Sequence, residues 1–376
     1  MIALAALVPV AVWLYLLAAR GMFWMMQERD DRDEPAAPAT WPSVVAIVPA
    51  RNEADVIAQT LASLLAQDYP GPFRVVLVDD QSNDGTAEVA RGISDADRLA
   101  LVSGAPRPSG WTGKLWAVRQ GIAAAGEPDY FWLTDADIAH APDNLSRLMA
   151  RAEANKLVLT SLMAKLHCRG WHERYLIPAF VFFFVMLYPF RWVNDPKEKT
   201  AAAAGGCMLV RRDVLERAGN IDAIRSEIID DCALARLLKS EGPIWLGLTE
   251  RATSVRPYGS MAEIRAMIAR SAFAQLGYSS LALAGTMAGM IVVYAAPPLF
   301  ALLAHDSAQA SGILAWAAMA LAFQPILSFY RLSPLWGPVL PLIGAVYAVF
   351  TFDSALQHWR GRGGMWKGRA QAMGRT

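Results

Sequence analysis

The sequence predicts an α/β domain with a mostly parallel sheet, accompanied by apolar membrane segments at both ends of the chain. Short β-branched stretches alternate with helical patterns from residue 43 onward, and a polar loop follows each stretch. Of the 376 residues, 55% are hydrophobic and only 18% are charged, an unusual balance for a soluble domain. This apolar excess lies at the two ends of the chain, whereas the middle carries mixed charge.

Residues 1–26 are expected to form an N-terminal transmembrane anchor. They are almost entirely apolar apart from Arg20, and the stretch before Arg20 is about long enough to cross a bilayer. A cleaved signal peptide fits less well, because no basic segment precedes the apolar run and no clear small-residue cleavage site follows it. Residues 27–42 are charged and contain proline, which indicates a linker.

Residues 43–275 are expected to form the folded domain. The patterns predict strands over residues 43–49, 74–78, 99–103 and 130–134, and a helix over residues 114–125. Asn52 is expected to be the N-cap of the first helix. Because ligands of parallel α/β sheets bind at the carboxyl ends of the strands, the loops that follow the strands are the expected site.

Residues 176–190 form an aromatic, apolar run that is short for a spanning helix. It is expected to lie on or dip into the membrane surface, with a buried core helix as the alternative. Such a run, framed by Pro178 and Pro189, does not distinguish the two interpretations.

Residues 281–356 are expected to form C-terminal membrane segments, and residues 357–376 a basic tail. Three apolar runs of near-spanning length lie over about residues 281–304, 313–330 and 335–352. If all three span, the tail lies opposite the soluble domain, which conflicts with the positive-inside rule. One run is therefore expected to be re-entrant or interfacial, with prolines 297, 298 and 325 as break points.

Charge and composition exclude several functions. A net charge of +1 makes no case for a nucleic-acid partner. The three cysteines have no disulfide or zinc-site spacing, which fits a reducing, cytoplasmic setting. No G-x-x-x-x-G-K-[ST] motif and no G-x-G-x-x-G after a strand is present, so ATPase and nicotinamide-enzyme interpretations are disfavoured.

Acidic side chains follow several of the predicted strands. Asp135 and Asp137 come directly after the fourth strand, and their spacing lets both carboxylates converge on one point. Divalent cations need such oxygen ligands, and a diphosphate-bearing substrate needs the cation. Each acidic residue taken singly is compatible with a turn or a helix cap. Together they would repel one another unless a cation or a ligand lies between them, so the set favours a nucleotide-plus-metal site.

The motifs resemble those of the inverting family 2 glycosyltransferases. They are Val-Pro-Ala-Arg-Asn-Glu at residues 48–53, the Asp-rich segment at residues 78–86, Gly-Lys at 113–114 and Asp-Ala-Asp at 135–137. The resemblance implies the GT-A fold and a metal, Mg²⁺ or Mn²⁺, held by Asp137. It also implies a nucleotide-sugar site formed by Pro49, Ala50, Asn52, Glu53, Asp79, Asp80, Lys114, Asp135 and Asp137.

Two further segments resemble the acceptor and catalytic parts of that family. Gly205, Gly206 and Cys207 correspond to the acceptor side, and Asp230 and Asp231 to the family's Glu-Asp motif. The resemblance makes Asp231 the catalytic base, which takes the proton of the attacking hydroxyl. Asp230 could raise the pKa of its neighbour by like-charge repulsion. The alternative is that the pair merely caps a helix over residues 232–240.

The chain departs from the polymerising members of the family. Where those members carry Gln-x-x-Arg-Trp, only Arg270 is kept here, which argues for transfer of one sugar; Arg270 would neutralise the leaving diphosphate. The tail residues Trp366, Lys367 and Arg369 resemble a signature of lipid-modifying members. Anchor, domain order and tail together are most similar to the hopanoid-associated branch.

The resemblance therefore implies a multi-pass enzyme of a bacterial-type inner (plasma) membrane with a cytoplasmic catalytic domain. Its partners would be the lipid bilayer, a nucleoside-diphosphate sugar, expected to be a UDP-sugar, and a membrane lipid whose hydroxyl accepts the sugar in hopanoid metabolism. Two alternatives stay open at this point. The acceptor could be a polyprenyl phosphate, or the chain could be a catalytically silent lipid-binding scaffold that retains the fold.

Overall fold

The computed structural model describes residues 2–93, 97–366 and 369–370 of the chain. Lys367, a residue of the predicted tail signature, lies outside the described residues. Trp366 and Arg369 lie in two short antiparallel strands that pair with each other.

The described part of the chain forms two compact units. The sheet unit comprises Glu28–His167 and Trp192–Pro257. The helical unit comprises Cys168–Arg191 and Tyr258–Gly364, together with the residues up to Gln27. The domain boundaries expected from the sequence stay a prediction.

The strands, in chain order, are β1 Val44–Ala50, β2 Phe73–Asp79, β3 Leu99–Ser103, β4 Tyr130–Leu133, β5 Ile138–His140, β6 Leu159–Lys165, β7 Met208–Arg211, β8 Ile244–Ser254, β9 Met365–Trp366 and β10 Arg369–Ala370. Strands β1 to β8 form one sheet in the order β3-β2-β1-β4-β7-β6-β8-β5. Strand β1 pairs in parallel with β2 and β4, β2 with β3, and β6 with β8. Strand β7 is antiparallel to β4 and β6, and β5 is antiparallel to β8. The mixed, mostly parallel sheet confirms the predicted α/β class.

The α-helices are α1 Ile2–Ala18, α2 Ile57–Leu65, α3 Thr86–Arg91, α4 Gly113–Ala124, α5 Asn144–Ala154, α6 Trp171–Leu187, α7 Phe190–Asn194, α8 Arg212–Arg217, α9 Asp230–Lys239, α10 Met261–Gln275, α11 Ser280–Met290, α12 Ala296–Leu303, α13 Asp306–Ala322, α14 Gln324–Phe329 and α15 Leu340–Trp359. Short 3₁₀ turns lie at Phe23–Met25, Ile221–Ile224 and Pro334–Val339. The segment Ile291–Ala295 is π-helical.

The centre of the sheet is buried on both faces. Every residue of β1 is buried, and so is every residue of β4. Unbroken apolar, β-branched runs are typical of parallel strands covered by helices on both sides. For this reason the four strands predicted from the sequence agree with β1 to β4 to within one residue at most boundaries.

The prediction that Asn52 is a helix N-cap is wrong. Helix α2 begins at Ile57, with Val56 at the N-cap position. Asn52 has a left-handed backbone (φ 52°), a conformation that asparagine tolerates better than most residues. Its N–H donates to Ser82 Oγ (3.0 Å) and its Oδ1 accepts from the N–H of Asn83 (3.0 Å). Asn52 therefore joins the loops that follow β1 and β2.

The first residues after the expected anchor pack onto the sheet unit. Asp30 is almost fully buried, and its Oδ2 accepts hydrogen bonds from Thr249 Oγ1 (2.7 Å) and Arg251 Nη1 (3.3 Å). Arg151 of α5 pairs with Asp33. A buried carboxylate needs such partners, so this part of the predicted linker is fixed against strand β8 and helix α5.

The helical unit contains three segments that are long and apolar enough to cross a membrane by length and composition. They are Ser280–Leu303, Asp306–Phe329 and Pro334–Trp359, and α1 is a shorter apolar helix. Prolines 297 and 298 directly follow the π-helical turn and do not end the first segment. The wider π-turn relieves the clash between a proline ring and the carbonyls of the preceding turn, which receive no hydrogen bond from proline.

Helix α6 carries most of the aromatic run at residues 176–190. Phe182 is fully buried, with its ring 5.3 Å from that of Phe23 and 5.2 Å from that of Phe323. Arg20 donates to the carbonyls of Met186 (3.1 Å) and Leu187 (3.0 Å). A cation at these carbonyls stabilises the C-terminal end of the helix. The contacts of Phe182 show that one side of α6 is buried within the helical unit.

Candidate active site

Three predicted site residues meet around Lys114, the second residue of helix α4. Its Nζ lies 2.8 Å from Asp135 Oδ1, just beyond strand β4, and 3.1 Å from Asp230 Oδ2, at the start of helix α9. Asp231 follows Asp230 in the first turn of α9. We call Lys114, Asp135, Asp230 and Asp231 the lysine cluster. It is assembled at the carboxyl end of β4, where the sequence predicted a ligand site.

Asp231 has the electrostatic environment of a general base. Burial, and then the neighbouring charge of Asp230, raise the pKa of its carboxyl to about 6. Lys114 and two backbone donors oppose this rise: Gly205 N–H donates to Oδ2 (3.0 Å) and Cys232 N–H to Oδ1 (2.7 Å). A carboxylate with such a pKa is ionised at neutral pH and still basic enough to take a proton from a hydroxyl during its attack.

Lys114 keeps the cluster together by its charge. Burial lowers the pKa of its ammonium, but the carboxylates of Asp135 and Asp230 outweigh burial and raise the pKa overall. The side chain therefore stays protonated across the physiological range. Its ammonium balances carboxylates that would otherwise repel one another.

Gly205 lies directly against the lysine cluster. A Cβ at this position would lie 3.0 Å from Lys114 Nζ and 3.6 Å from Asp231 Oδ2, tighter than an ordinary van der Waals contact in the first case. A small cavity beside the cluster is lined by Pro49, Thr134 and Asp135 together with Gly205. The backbone of Gly205 approaches the lysine cluster so closely that a side chain would crowd Lys114, which explains why this residue is a glycine. The absence of a side chain keeps the cavity beside the cluster open.

A buried network that the sequence did not reveal supports this loop. Thr134 Oγ1 donates to the carbonyl of Gly206 (2.8 Å) and lies 2.9 Å from His140 Nε2. Asn144 Nδ2 lies 3.0 Å from His140 Nδ1, so a neutral ring with its proton on Nε2 satisfies all three contacts. Burial lowers the pKa of His140 to about 3, which keeps the ring neutral. A single histidine outside any motif gives no sequence signal for this role.

Cys207 belongs to the core beneath the site. Its buried thiol accepts from Trp132 Nε1 (3.3 Å) and lies 3.7 Å from Asn144 Nδ2. Burial raises the pKa of the thiol to about 12, so it stays protonated and unreactive. Of the three residues expected at the acceptor side, Gly205 is the one whose backbone contacts the lysine cluster.

A second charged group surrounds Arg256, which follows strand β8 and which the sequence analysis did not identify. Its Nη2 contacts Glu53, its Nη1 lies 3.1 Å from Asp55 Oδ2, and its Nε lies 3.4 Å from Asp137 Oδ2. We call these four residues the arginine cluster. No motif surrounds Arg256 in the sequence, and only the pairing of β8 with β5 brings it to Asp137.

The other predicted nucleotide-side residues lie at the carboxyl ends of β1 and β2 and in the loops that follow these strands. Asp80 is fully buried, with its carboxylate 4.0 Å from Arg51 Nη1. The same nitrogen donates to the carbonyls of Asp80 (2.5 Å) and Gln81 (3.0 Å). Asp79 Oδ1 accepts from the N–H of Ser82 (3.3 Å). The two loops are thus held together by side-chain contacts, next to Ala50 at the end of β1.

Arg270 lies in the helical unit. It is an exposed residue of helix α10, whereas both charged clusters belong to the sheet unit. Its predicted role at the diphosphate, and that of the tail residues, stays a prediction.

The donor set fits a divalent cation at Asp137. Among the described residues, no group of three or more His, Cys, Asp or Glu side chains is arranged to hold a metal ion alone. A cation at a diphosphate commonly takes one or two protein carboxylates and completes its shell with phosphate oxygens and water. The partly exposed carboxylate of Asp137 is of that kind.

Comparisons with known proteins identify the domain. Residues 45–219 match the family model for glycosyl transferase family 2. The chain resembles a solved mannosyltransferase, PcManGT from Pyrobaculum calidifontis, in complex with GDP-Man and Mn²⁺. The two are 20% identical with a TM-score of 0.57, over 95% of this chain and 99% of that one. This similarity confirms the fold. Residues 45–219 are therefore similar to glycosyl transferase family 2, and the domain has the GT-A fold.

Curated relatives are transferases as well. An N-acetylglucosaminyltransferase of Mesorhizobium japonicum is 25% identical over 195 residues, 48% of this chain and 42% of the relative. An undecaprenyl-phosphate 4-deoxy-4-formamido-L-arabinose transferase of Pseudomonas aeruginosa is 26% identical over 182 residues, 46% of this chain and 48% of the relative. The chain thus spans less than half the length of these relatives.

Proposed function

We propose that the chain is a membrane-embedded, metal-dependent, inverting glycosyltransferase that moves one sugar from a nucleoside-diphosphate sugar to a hydroxyl of a membrane lipid. The observation that carries this proposal is Asp231: a carboxylate at the end of the sheet whose pKa is raised to about 6 beside Lys114, Asp135 and Asp230. A family 2 domain needs such a base to activate its acceptor.

The reaction would be a single displacement at the anomeric carbon. The acceptor hydroxyl attacks this carbon while its proton passes to Asp231, and the bond from the carbon to the diphosphate oxygen breaks. Each oxygen of Asp231 already accepts one backbone N–H, which fixes the carboxylate and leaves a second lone pair on each for the proton. Lys114 holds Asp135 and Asp230 in place during transfer.

Asp137 would hold the Mg²⁺ or Mn²⁺ ion. The ion, when bound, supplies positive charge to the leaving diphosphate. By the family resemblance, Glu53 and either Asp79 or Asp80 would contact the nucleoside, and Asp135 would contact the ribose or the sugar. Arg270 would assist the leaving group.

The membrane assignment is supported by the three apolar segments of the helical unit and by the apolar helix α1. Such segments would keep the enzyme in the membrane that contains a lipid acceptor. We place the sheet unit on the cytoplasmic side of a bacterial-type inner membrane, with several spanning helices. Assignment to hopanoid metabolism rests on the likeness of anchor, domain order and tail.

A polyprenyl-phosphate acceptor is the second candidate. The Pseudomonas relative is named as an undecaprenyl-phosphate transferase, and the proposed residues would serve that acceptor equally. A silent scaffold is disfavoured, because an unused site would not need a buried, mutually repelling set of carboxylates.

The test is a donor panel with purified full-length protein, Mn²⁺ and native lipid extract, read by mass spectrometry. UDP-sugars and GDP-sugars are both included. The proposal expects one lipid to gain the mass of a single sugar, and the mass of that lipid separates a hopanoid from a polyprenyl phosphate. No lipid product with any donor, despite donor binding, would refute the transferase and favour the scaffold.

A further inference from the structure

Arg256 has no role in the chemistry proposed above, yet it contacts two residues that do. Its guanidinium presents one nitrogen to each of three carboxylates: Nη2 to Glu53, Nη1 to Asp55 at 3.1 Å, and Nε to Asp137 at 3.4 Å. Arginine suits this arrangement because its donors point outward in a rigid plane. One side chain thereby links the proposed metal ligand to the proposed nucleoside contact.

The sheet fixes the position of Arg256. Strand β5 pairs with β8 from Ile138 opposite Ser254, and the N–H of Val255 donates to the carbonyl of Asp137 (2.9 Å). Arg256 is the next residue along the chain. Its guanidinium is therefore held near Asp137 by the backbone of two paired strands as well as by its own ion pairs.

The four residues of the arginine cluster carry more negative than positive charge. Counted by themselves, three carboxylates and one guanidinium give a formal charge of −3 + 1 = −2, which favours a cation nearby. The guanidinium of Arg256, however, lies next to Asp137 Oδ2. Its positive charge would repel a cation bound at the same carboxylate. A donor diphosphate would bring negative charge that attracts both cations.

We propose that Arg256 is a positioning residue that holds Asp137 before the donor binds and competes with the divalent cation for this carboxylate. This inference rests on the proposed function of Asp137. The competition by Arg256 makes the free enzyme bind the cation weakly. When a nucleoside diphosphate is present, the enzyme binds the cation tightly, so that cation and donor bind as a pair.

The test measures Mn²⁺ binding to the full-length protein by electron paramagnetic resonance, with and without UDP. Wild type is expected to bind Mn²⁺ weakly alone and more tightly with UDP. Arg256→Gln is expected to bind Mn²⁺ alone about tenfold more tightly, because a nearby positive charge is removed, and to lose much of the gain from UDP. Arg256→Lys, which keeps the charge, is expected to retain the wild-type pattern.

Two variants serve as controls. Arg251→Gln removes an arginine within β8 whose side-chain exposure is similar to that of Arg256 (24% against 28%) and which pairs with Asp30 and Asp143. This variant should bind Mn²⁺ as wild type does. Asp137→Asn measures the signal of Mn²⁺ that is bound only to UDP in solution. Unchanged affinity in Arg256→Gln, or an equal increase in Arg251→Gln, would overturn the inference.

The same experiment separates this inference from the proposed function. If no variant binds Mn²⁺ while sugar transfer proceeds, the competition is refuted and the transferase stands. If Arg256→Gln tightens Mn²⁺ binding but no lipid gains a sugar with any donor, the competition stands and the proposed transfer fails.

Discussion

The lysine cluster and the arginine cluster contain the same charges but differ in their surroundings. Each surrounds one cation with three carboxylates, and Asp135 of the first is only two residues from Asp137 of the second. In the lysine cluster the side chains of Lys114 and Asp230 are 19% and 18% exposed and that of Asp135 is 35% exposed. In the arginine cluster the exposed fraction ranges from 9% at Glu53 through 28% at Asp137 to 65% at Asp55. Burial at the first site raises the pKa of Asp231 to about 6. At the second cluster, the carboxylate of Asp137 is partly exposed, as a carboxylate must be to share a cation with a diphosphate.

We therefore propose proton transfer for the lysine cluster and charge stabilisation for the arginine cluster. The two clusters have the same formal charge, so charge alone does not determine the chemistry of their carboxylates. Desolvation and the position of the neighbouring cation determine it.

Replacement of the base should have the largest effect. Asp231→Asn keeps the shape of the side chain but cannot accept a proton, so sugar transfer should fall by about 10² to 10⁴-fold. Donor binding should stay near that of wild type, because the donor is proposed to contact other residues. Nucleoside diphosphate release measures the first quantity and calorimetric titration the second.

Asp222→Asn is the matched control, since Asp222 pairs with Arg119 at the surface of the same unit, with 45% of its side chain exposed. It should transfer sugar at the wild-type rate. Wild-type activity in Asp231→Asn would remove Asp231 from the proposed mechanism.

The two cations should differ in their contribution to stability. Lys114→Gln leaves three closely spaced carboxylates without their counter-charge, among them Asp230 with 18% of its side chain exposed, which should lower the free energy of unfolding by about 3 kcal/mol. Arg256→Gln should cost about 1 kcal/mol, because its ion pair with Asp55 faces solvent and an amide can still donate to Glu53. Chemical denaturation of the two variants in the same detergent compares them.

Equal losses of stability, or a larger loss for Arg256→Gln, would contradict the difference in burial between the two clusters.

A methyl group at Gly205 should have the smallest effect of the three changes. In Gly205→Ala the added Cβ would lie 3.0 Å from Lys114 Nζ, and the flexible end of the lysine would move away from the carboxylates. We expect transfer to fall about tenfold through this displacement, with little loss of thermal stability. Gly92→Ala, where the added Cβ would meet only backbone oxygens at 3.4 Å or beyond, is the control and should leave transfer unchanged.

The sequence predicted the lysine cluster better than the arginine cluster. Strands β1 to β4 are short and mostly apolar, and β1 and β2 are also rich in valine. Their pattern is therefore visible locally, and acidic residues at their ends converge wherever parallel strands share an edge. Lys114, Asp135, Asp230 and Asp231 were all named from the sequence and lie together.

The parts that were missed depend on pairing between distant segments. The antiparallel strand β7 lies between β4 and β6, and β5 pairs with β8 more than a hundred residues later, so no local pattern locates Arg256 beside Asp137. His140 and Asn144 are buried polar residues whose roles depend on tertiary contacts. The prediction for Asn52 was wrong for a different reason. Asparagine favours both helix caps and left-handed turns, and in the loop after β1 it adopts the left-handed turn.

The dependence of kcat/KM on pH tests the central claim most directly, because it reports the protonation state of the proposed base. In wild type, kcat/KM should fall as the pH drops below about 6, since Asp231 must be ionised and its pKa is raised to about 6. In Asp230→Asn the like charge is absent, so the pKa of Asp231 should be lower and the fall should begin at a more acidic pH. A wild-type profile without this fall, or one that Asp230→Asn does not move, would contradict the assignment of Asp231 as the base of the lysine cluster.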